Sequence, residues 1–278
     1  MTRLTARNGE VELSLEVNGE GPTLLLLHGW PDTGALWSDV APQLVRGGYR
    51  VATVDLRGCG KSSKPAETSS YRMFHLVSDV KCIIDALGVE PVTLIGHDWG
   101  AALSWASAAY LPEDVERLVV LSVGHPTAFY GAGIGQQIRS WYMLLFSQDG
   151  LGEAFLRKDD YKVLRHVPGH PRAQEVIDEL ERDGQMSAHL RWYRANVPMD
   201  SFIVDPPTLP PVTQPVLGIW SSGDPALGER QMLNSEQYCP NGFSYVRLEG
   251  YGHWFPLEAP DELSRELLSF LGPEGRPT

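Results

Sequence analysis

Several features that mark large classes of proteins are scarce or missing in this chain. Three of its 278 residues are cysteines, Cys59, Cys82 and Cys239, which are too few and too scattered for a disulfide framework or a zinc site. Lysine and arginine number 23 against 35 aspartates and glutamates, and the formal charge of −12 disfavours binding to phosphate backbones or anionic lipid. The longest apolar runs, such as residues 24–27, are far shorter than a membrane span, and the first residues lack the pattern of a secretory signal. We therefore expect a cytoplasmic protein with no nucleic-acid or membrane partner, and the excess of arginine over lysine hints at a bacterial source.

The first half of the chain alternates strand-like and helix-like segments. Apolar and polar residues alternate over residues 11–17, as they do in a half-buried edge strand. Nearly continuous apolar runs, which are typical of buried parallel strands, occur at residues 23–27, 51–56, 92–95 and 118–123. Helical patterns lie between them at residues 74–87 and 99–110. This alternation predicts an α/β fold with a mostly parallel, doubly wound sheet.

The alternation stops after Gly124. From residue 125 to residue 212 we find helical segments broken by glycine and proline, the clearest at residues 171–184, and no convincing parallel strand. Strand patterns return at residues 215–220 and 243–248, and a last helix is predicted over residues 261–271. We predict a core of residues 1–124 and 213–278, with a helical cap of residues 125–212 inserted after the sixth strand.

A short motif at residues 96–100 carries the main chemical signal. The third buried run leads into Gly96-His97-Asp98-Trp99-Gly100 and then into an alanine-rich helix. This is the pattern of a nucleophile elbow, with aspartate in the place where esterases and lipases carry serine. A carboxylate is already ionised at neutral pH, so it can attack saturated carbon without the help of a base, and the product is an ester on Asp98. We interpret Asp98 as a nucleophile and expect His97 to pack beneath the turn.

Hydrolysis of such an ester requires a base, and two loops near the C-terminus supply candidates. His253 follows the last predicted strand, and Asp224 follows the strand before it. Nucleophile, acid and histidine thus occur in the chain order of an α/β-hydrolase triad. We predict that Asp224 orients His253, and that His253 activates a water molecule.

The turn after the first buried strand predicts an oxyanion hole. Residues 28–32 read His-Gly-Trp-Pro-Asp directly after the apolar run at residues 24–27. The backbone N–H groups of Trp30 and Trp99, the residue after the nucleophile, would together stabilise the negative oxygen that forms when water attacks the ester.

With these motifs in family order, the chain resembles the α/β-hydrolase superfamily and, within it, the epoxide hydrolases, which are close to the haloalkane dehalogenases. The resemblance rests on the motifs at residues 28–31, 55–62, 96–101 and 252–254, and it covers essentially the whole chain. It implies the α/β-hydrolase fold and a cis peptide bond between Trp30 and Pro31. It also implies hydrolysis of an epoxide to a vicinal diol, with no cofactor and no metal.

Two tyrosines of the predicted cap bear on the leaving group. An opened epoxide leaves as a basic alkoxide that needs a proton donor, and a tyrosine hydroxyl suits that task. The segments at residues 141–146 and 190–194 resemble the two cap segments of epoxide hydrolases that carry the ring-opening tyrosines, which places those roles on Tyr142 and Tyr193. Helical spacing puts Tyr142 on one face with Ile138 and Leu145, so we expect it to point inwards.

We expect a small apolar epoxide as substrate and a monomer or homodimer as the assembly. Three alternatives stay open: a haloalkane dehalogenase that uses the same aspartate, with Trp99 and Trp141 as halide donors; a non-catalytic small-molecule receptor; and a biosynthetic enzyme that opens a strained ring. Besides the residues already named, four aromatic residues are predicted to line the substrate pocket: Trp141, Trp192, His28 and Trp254.

Overall fold

The structure is a computed structural model that describes residues 2–89, 91–166, 169–182, 184–201, 203 and 208–272. Within these residues, eight strands form one sheet: β1 Thr2–Asn8, β2 Val11–Asn18, β3 Thr23–Leu27, β4 Arg50–Val54, β5 Val92–His97, β6 Val115–Leu121, β7 Val216–Ser221 and β8 Phe243–Leu248. The helices of the same residues are α1 Ala41–Arg46, α2 Met73–Leu87, α3 Trp99–Tyr110, α4 Pro126–Tyr130, α5 Ile134–Arg139, α6 Trp141–Phe146, α7 Leu151–Arg157, α8 Lys162–Arg165, α9 Ala173–Leu180, α10 Gln185–Asn196, α11 Glu229–Leu233, α12 Phe255–Glu258 and α13 Pro260–Leu271. Short 3₁₀ helices lie at Gly34–Trp37, Thr68–Tyr71 and Asn234–Tyr238.

The sheet has the predicted parallel, doubly wound character. Its strand order is β1-β2-β4-β3-β5-β6-β7-β8, and every pair from β4 to β8 is parallel. Strands β1 and β2 form an antiparallel edge, since β1 pairs with β2 and β2 pairs with β4 in that sense. The five strands β3 to β7 carry few exposed side chains because helices cover both faces of the sheet. The predicted fold class is confirmed.

Strand β1 was not among the predicted elements. Its residues are mostly polar and exposed because only one side of this edge strand meets the core, where Ala6 is buried. The sequence of β1 therefore has no apolar run that would predict a strand. All seven of its residues pair with β2, and this pairing is the main interaction that holds it in the sheet.

Every helix from α4 to α10 lies between β6 and β7, so the structure places a helical segment where the cap is predicted. Its apolar residues form a cluster of their own, which also includes Trp30 and Leu227 from the core loops. Residues 167–168, 183, 202 and 204–207 of the predicted cap, and residues 273–278 of the predicted core, lie outside the described residues. The helix predicted at residues 171–184 is shorter in the structure, where α9 runs over Ala173–Leu180. Gly184 (φ 75°) is the N-cap of α10 and not the end of α9.

One predicted helical face is wrong. Ile138 belongs to α5 and Tyr142 to α6, with a break at Ser140 between them. The two residues also differ in exposure, since Ile138 is exposed and Tyr142 is half-buried. The predicted cis peptide bond between Trp30 and Pro31 is present.

Candidate active site

Asp98 lies in a sharp turn between β5 and α3. Its backbone has φ 52° and ψ −121°, a conformation that a residue with a side chain adopts only when its surroundings enforce it. A Cβ atom at Gly96 would collide with the carbonyl oxygen of Gly100, and one at Gly100 would collide with the carbonyl oxygen of Leu27. The two glycines of the motif therefore permit the close approach of strand, turn and helix that raises Asp98 above the end of the sheet.

The Asp98 carboxylate has a different partner at each oxygen. Its Oδ1 accepts a hydrogen bond of 2.8 Å from the backbone N–H of Trp30, one of the two predicted oxyanion-hole donors. Its Oδ2 lies 3.6 Å from Nε2 of His253. The second predicted donor, the N–H of Trp99, makes no hydrogen bond to this carboxylate among the described residues, so its role stays a prediction.

Asp224 and His253 meet at the carboxyl ends of β7 and β8. Nδ1 of His253 lies 2.8 Å from Oδ2 of Asp224, and both side chains are buried. The other carboxylate oxygen, Oδ1, accepts hydrogen bonds from the backbone N–H groups of Ala226 and Leu227 at 2.8 and 2.9 Å. Asp224 is thus held in one orientation from behind, and it can fix the position and tautomer of the imidazole.

The charges around His253 determine its protonation. Burial acts to lower the pKa of His253, but the charges and hydrogen bonds of Asp224 and Asp98 override it and raise this pKa to about 10. Burial acts to raise the pKa of Asp224, and His253 together with the two backbone donors lowers it overall. At neutral pH the free site therefore holds an imidazolium between two carboxylates.

His97 lies beneath the turn, as predicted. Its Nε2 donates to the carbonyl oxygen of His253 at 2.9 Å, and the two rings are 4.7 Å apart between centroids. Burial and the neighbouring charge of His253 lower the pKa of His97 to about 4, so this ring is neutral. His97 supports the loop that carries His253.

A cavity of about 630 Å³ opens above Asp98, which is a usual size for a ligand site. Tyr142 of α6 and Tyr193 of α10 line it together with Asp98 and Trp99. The tyrosine rings meet edge to face with 6.3 Å between their centroids. The predicted nucleophile and both predicted ring-opening tyrosines therefore face one space. Further lining residues on α2, α3, α4 and α6 include Met73, Phe74, Val77, Ala102, Ala106, Tyr110, Pro126, Phe129, Tyr130 and Met143.

Both tyrosines keep their protons at neutral pH. Burial, followed by the negative charges of Asp98 and Asp224, raises the pKa of Tyr142. Burial, followed by Tyr142 and Asp98, raises the pKa of Tyr193 well above its ordinary value. Each hydroxyl can thus donate a hydrogen bond into the cavity.

Two tryptophans that were predicted to line the pocket do not. Trp141 is 54% exposed and packs edge to face on Phe155, because the break before α6 turns it towards solvent. Trp192 is buried beneath Trp99, and its indole N–H donates to the carbonyl oxygen of Arg57 at 2.9 Å. Their neighbours in the sequence, Tyr142 and Tyr193, face the cavity instead.

The predictions for His28 and Trp254 as pocket residues are also wrong. His28 is buried, with Nδ1 bonded to the carbonyl oxygen of Gly29 and Nε2 accepting from the N–H of Leu56. Trp254 is buried beside His253, with ring centroids 5.1 Å apart. Neither side chain is among those that line the cavity.

Asp32 and His170 form a buried pair that no sequence motif predicts. Oδ2 of Asp32 accepts from the indole N–H of Trp254 at 3.1 Å, and Oδ1 lies 3.2 Å from Nε2 of His170. Nδ1 of His170 accepts from the N–H of Arg172, so Nε2 carries the proton and donates to Asp32. Asp32 follows Pro31 in a recognised motif, but no spacing in the sequence connects it with His170, which lies in the distant segment between α8 and α9.

Comparison with known proteins agrees with this architecture. A sequence profile described as "alpha/beta hydrolase fold" matches residues 22–260. The chain belongs to the alpha/beta hydrolase fold family. This hydrolase is 31% identical over 267 residues to the AB hydrolase superfamily protein YfhM of Bacillus subtilis, covering 91% of each chain. It is 29% identical over 272 residues to a human protein named epoxide hydrolase 4, covering 92% of this chain and 74% of the relative.

Solved structures give the same result. A crystal structure of the Bacillus megaterium epoxide hydrolase in complex with an inhibitor superposes with a TM-score of 0.85 at 27% identity, covering 96% of this hydrolase and 99% of that chain. None of the helices among the described residues has the length and apolar character needed to span a bilayer. The same part of the hydrolase holds no group of three or more His, Cys, Asp or Glu side chains placed to bind a metal ion.

Proposed function

We propose that this hydrolase opens an epoxide to a vicinal diol through a covalent ester on Asp98. The observation that carries the proposal is the convergence of one carboxylate, two tyrosine hydroxyls and an Asp224-supported imidazole at a single apolar cavity. Several relatives and neighbouring structures are named epoxide hydrolases, including a human protein and one from Bacillus megaterium, which supports the same reaction class. On this proposal residues 1–124 and 213–278 act as the catalytic core, and residues 125–212 act as a cap that brings the tyrosines.

The first half-reaction forms the ester. Trp30 holds Oδ1 of Asp98, so we assign the attack on a ring carbon to Oδ2. As the new carbon–oxygen bond forms, the carbon–oxygen bond of the ring breaks, and Tyr142 or Tyr193 gives its proton to the departing oxygen. A hydroxyalkyl ester on Asp98 and a tyrosinate result.

The same step converts His253 into a base. Asp98 loses its negative charge when it becomes an ester, and that charge is one cause of the raised pKa of His253. The pKa of His253 therefore falls, and the proton that it gives up replaces the one that the tyrosine lost. The histidine becomes a base only after the nucleophile has reacted.

The second half-reaction hydrolyses the ester. His253 takes a proton from water, and the resulting hydroxide attacks the Asp98 carboxyl carbon. The Trp30 N–H, which already bonds Oδ1, stabilises the negative oxygen of the tetrahedral species. The diol leaves with an oxygen from Asp98, the carboxylate is restored, and His253 is again protonated, so the sum is one epoxide and one water consumed for each diol.

The position of Trp141 disfavours a haloalkane dehalogenase. That alternative relied on the indole groups of Trp99 and Trp141 as halide donors, but Trp141 is exposed and outside the cavity. The hydroxyls that do face Asp98 belong to Tyr142 and Tyr193, and they suit an alkoxide, which needs a proton.

A single turnover in water enriched in ¹⁸O tests the proposal. With enzyme in excess over styrene oxide, the diol should contain only ¹⁶O, and the label should be found in the peptide that contains Asp98. The control is a multiple-turnover reaction, in which label passes from Asp98 into later product molecules. Label that enters the diol in the first turnover would exclude the ester.

A variant without the base tests the second half-reaction separately. His253→Gln should still form the ester and should then stop, so mass spectrometry should find Asp98 heavier by the mass of the epoxide. Asp98→Asn in the same background should show no mass increase. Unchanged steady-state turnover in His253→Gln would contradict the role assigned to this residue.

A further inference from the structure

The cavity follows one face of helix α3 along its whole length. Trp99, Ala102, Ala106 and Tyr110 all line it, and their spacing of three, four and four residues keeps them on a single helical face. At a rise of 1.5 Å per residue, the distance from Trp99 to Tyr110 is about 16 Å. The space above Asp98 is therefore elongated, with Asp98 at the N-terminal end of α3.

The other end of the cavity opens at the protein surface. The first turn of α2 forms part of the wall with Met73, Phe74 and Val77. Phe74 is 63% exposed and Tyr110 is 55% exposed, whereas Asp98 and Tyr193 at the catalytic end are buried. We call the gap between Phe74 and Tyr110 the mouth.

Among the described residues, the lining is mostly apolar and carries no positive charge; its polar side chains besides Asp98 and the tyrosines are Asn196 and Ser201. Asp98 is the one carboxylate among the lining residues that the structure describes, and none of them is lysine, arginine or histidine. The amide of Asn196 is already engaged, since Nδ2 donates to the carbonyl oxygens of Tyr71 and Trp192 and Oδ1 accepts from the N–H of Met73. An anionic group inside this space would find no counter-ion and would be repelled by Asp98.

From this shape and lining we infer the substrate class: neutral epoxides with one long apolar chain. This inference rests on the proposed function. The oxirane would lie between Asp98 and the two tyrosines, and the chain would run along α3 to the mouth. About a dozen carbons fill this distance, because each 1.5 Å carbon–carbon bond advances an extended chain by roughly 1.25 Å. Ala102 and Ala106 would determine specificity, since their small side chains leave the path open.

The first experiment measures how kcat/KM depends on chain length. Terminal 1,2-epoxyalkanes of four to sixteen carbons should be hydrolysed with a kcat/KM that rises by up to about fourfold for each methylene buried, and that levels off near a dozen carbons. A carboxylate placed at the far end of an eight-carbon epoxide lies inside the cavity, so kcat/KM should fall at least tenfold relative to 1,2-epoxyoctane. An active enzyme whose kcat/KM is flat across the series, or one that prefers the carboxylate, would overturn the inference.

Two variants locate the chain along the helix. Ala102→Phe and Ala106→Phe place a ring about 6 Å and 12 Å beyond Asp98 along α3, so the rise in kcat/KM should stop after about five and about ten carbons respectively. In Ala106→Phe the ratio of kcat/KM for 1,2-epoxydodecane to that for 1,2-epoxybutane should fall by up to about fifteenfold, because about two methylenes lose their place in the cavity. The matched control is Ala109→Phe on the same helix, which lies outside the cavity and should keep the wild-type ratio. If the rise stops at the same length in both cavity variants, the chain does not follow α3.

A binding measurement separates this inference from the proposed function. Alkane-1,2-diols of four to twelve carbons need no catalysis, and their Kd, measured by calorimetry, should fall with length in the wild type and should stop falling earlier in Ala106→Phe. If the protein hydrolyses no epoxide but binds the diols with this dependence on chain length, the proposed reaction is wrong and the inferred apolar path along α3 is supported. Hydrolysis of epoxides together with diol affinities that do not depend on length would refute the path alone.

Discussion

Replacement of Asp224 by asparagine should stop the reaction after the ester has formed. In the wild type, Oδ1 of Asp224 accepts from the N–H groups of Ala226 and Leu227, and Oδ2 faces Nδ1 of His253. Two backbone donors behind the side chain require an acceptor, so the carbonyl oxygen of asparagine should take that position. The NH₂ group then faces His253, donates to its Nδ1 and forces the proton of the neutral ring onto Nε2, the nitrogen that must accept a proton from water.

The expected loss is large in steady state and small in the first half-reaction. A histidine held in the wrong tautomer costs roughly 10³- to 10⁴-fold in kcat, which corresponds to about 4 to 5.5 kcal/mol in the activation free energy. Formation of the ester does not use His253 as a base, so its rate should change by less than about tenfold. The ester on Asp98 should then accumulate to one equivalent per enzyme.

Rapid quench followed by mass spectrometry of the intact protein measures both steps in one time course. Asp39→Asn is the matched control, since it removes one carboxylate from an exposed ion pair with Arg172 and should keep kcat within about twofold. If Asp224→Asn turns over at the wild-type rate, or if it loses ester formation as completely as hydrolysis, Asp224 does not act by setting the tautomer of His253.

Four further predictions follow from the described contacts. Tyr142→Phe and Tyr193→Phe should each lower the rate of ester formation by about 10²-fold and together by far more, measured in single turnovers, while an equal loss in ester hydrolysis would argue against proton donation. Gly100→Ala should lower the free energy of unfolding by about 3 kcal/mol or more in denaturant titrations, because its Cβ meets backbone atoms that cannot move aside. The folded state raises the pKa of His253 to about 10, so the protonated ring stabilises the fold fully below its ordinary pKa of 6.5. This contribution is lost as the pH rises from 6.5 towards 10, and the free energy of unfolding should decline by up to about 5 kcal/mol over that range. The decline should be smaller in His253→Gln. Asp32→Asn should lower Tm by several degrees, because the amide has one acceptor oxygen for the two buried donors, His170 and Trp254. An unchanged Tm would show that these two hydrogen bonds add little to stability.

The sequence was sufficient to predict seven of the eight described strands and the residues that approach Asp98. Buried parallel strands are continuous apolar runs, and a turn that needs glycine on both sides of one residue leaves a clear local pattern. The positions of Asp224 and His253 followed from strand order, because the carboxyl ends of neighbouring parallel strands lie at one edge of the sheet. Each of these signals lies within a few residues of the chain.

The contacts between the cap and the core could not be predicted in the same way. Helical periodicity placed Ile138 and Tyr142 on one face, but a break of a single residue at Ser140 separates their helices. The sequence does not determine whether the side chains of aromatic residues such as Trp141 and Trp192 point into the cavity or away from it. The alanines of α3 look alike in the sequence, but Ala101 and Ala108 are buried in the core, whereas Ala102 and Ala106, which is also buried, line the cavity.

The shared carboxylate of Asp32 has a consequence for how a ligand enters and leaves. One of its oxygens accepts a hydrogen bond from His170, in the segment between α8 and α9, and the other accepts one from Trp254, the neighbour of His253. If that segment moved away from the sheet, the buried carboxylate of Asp32 would lose its hydrogen bond with His170. Trp254, which packs beside His253, would then be held less firmly. Movement of this segment is therefore disfavoured, and His253 can stay aligned while ligands exchange through the mouth between Phe74 and Tyr110.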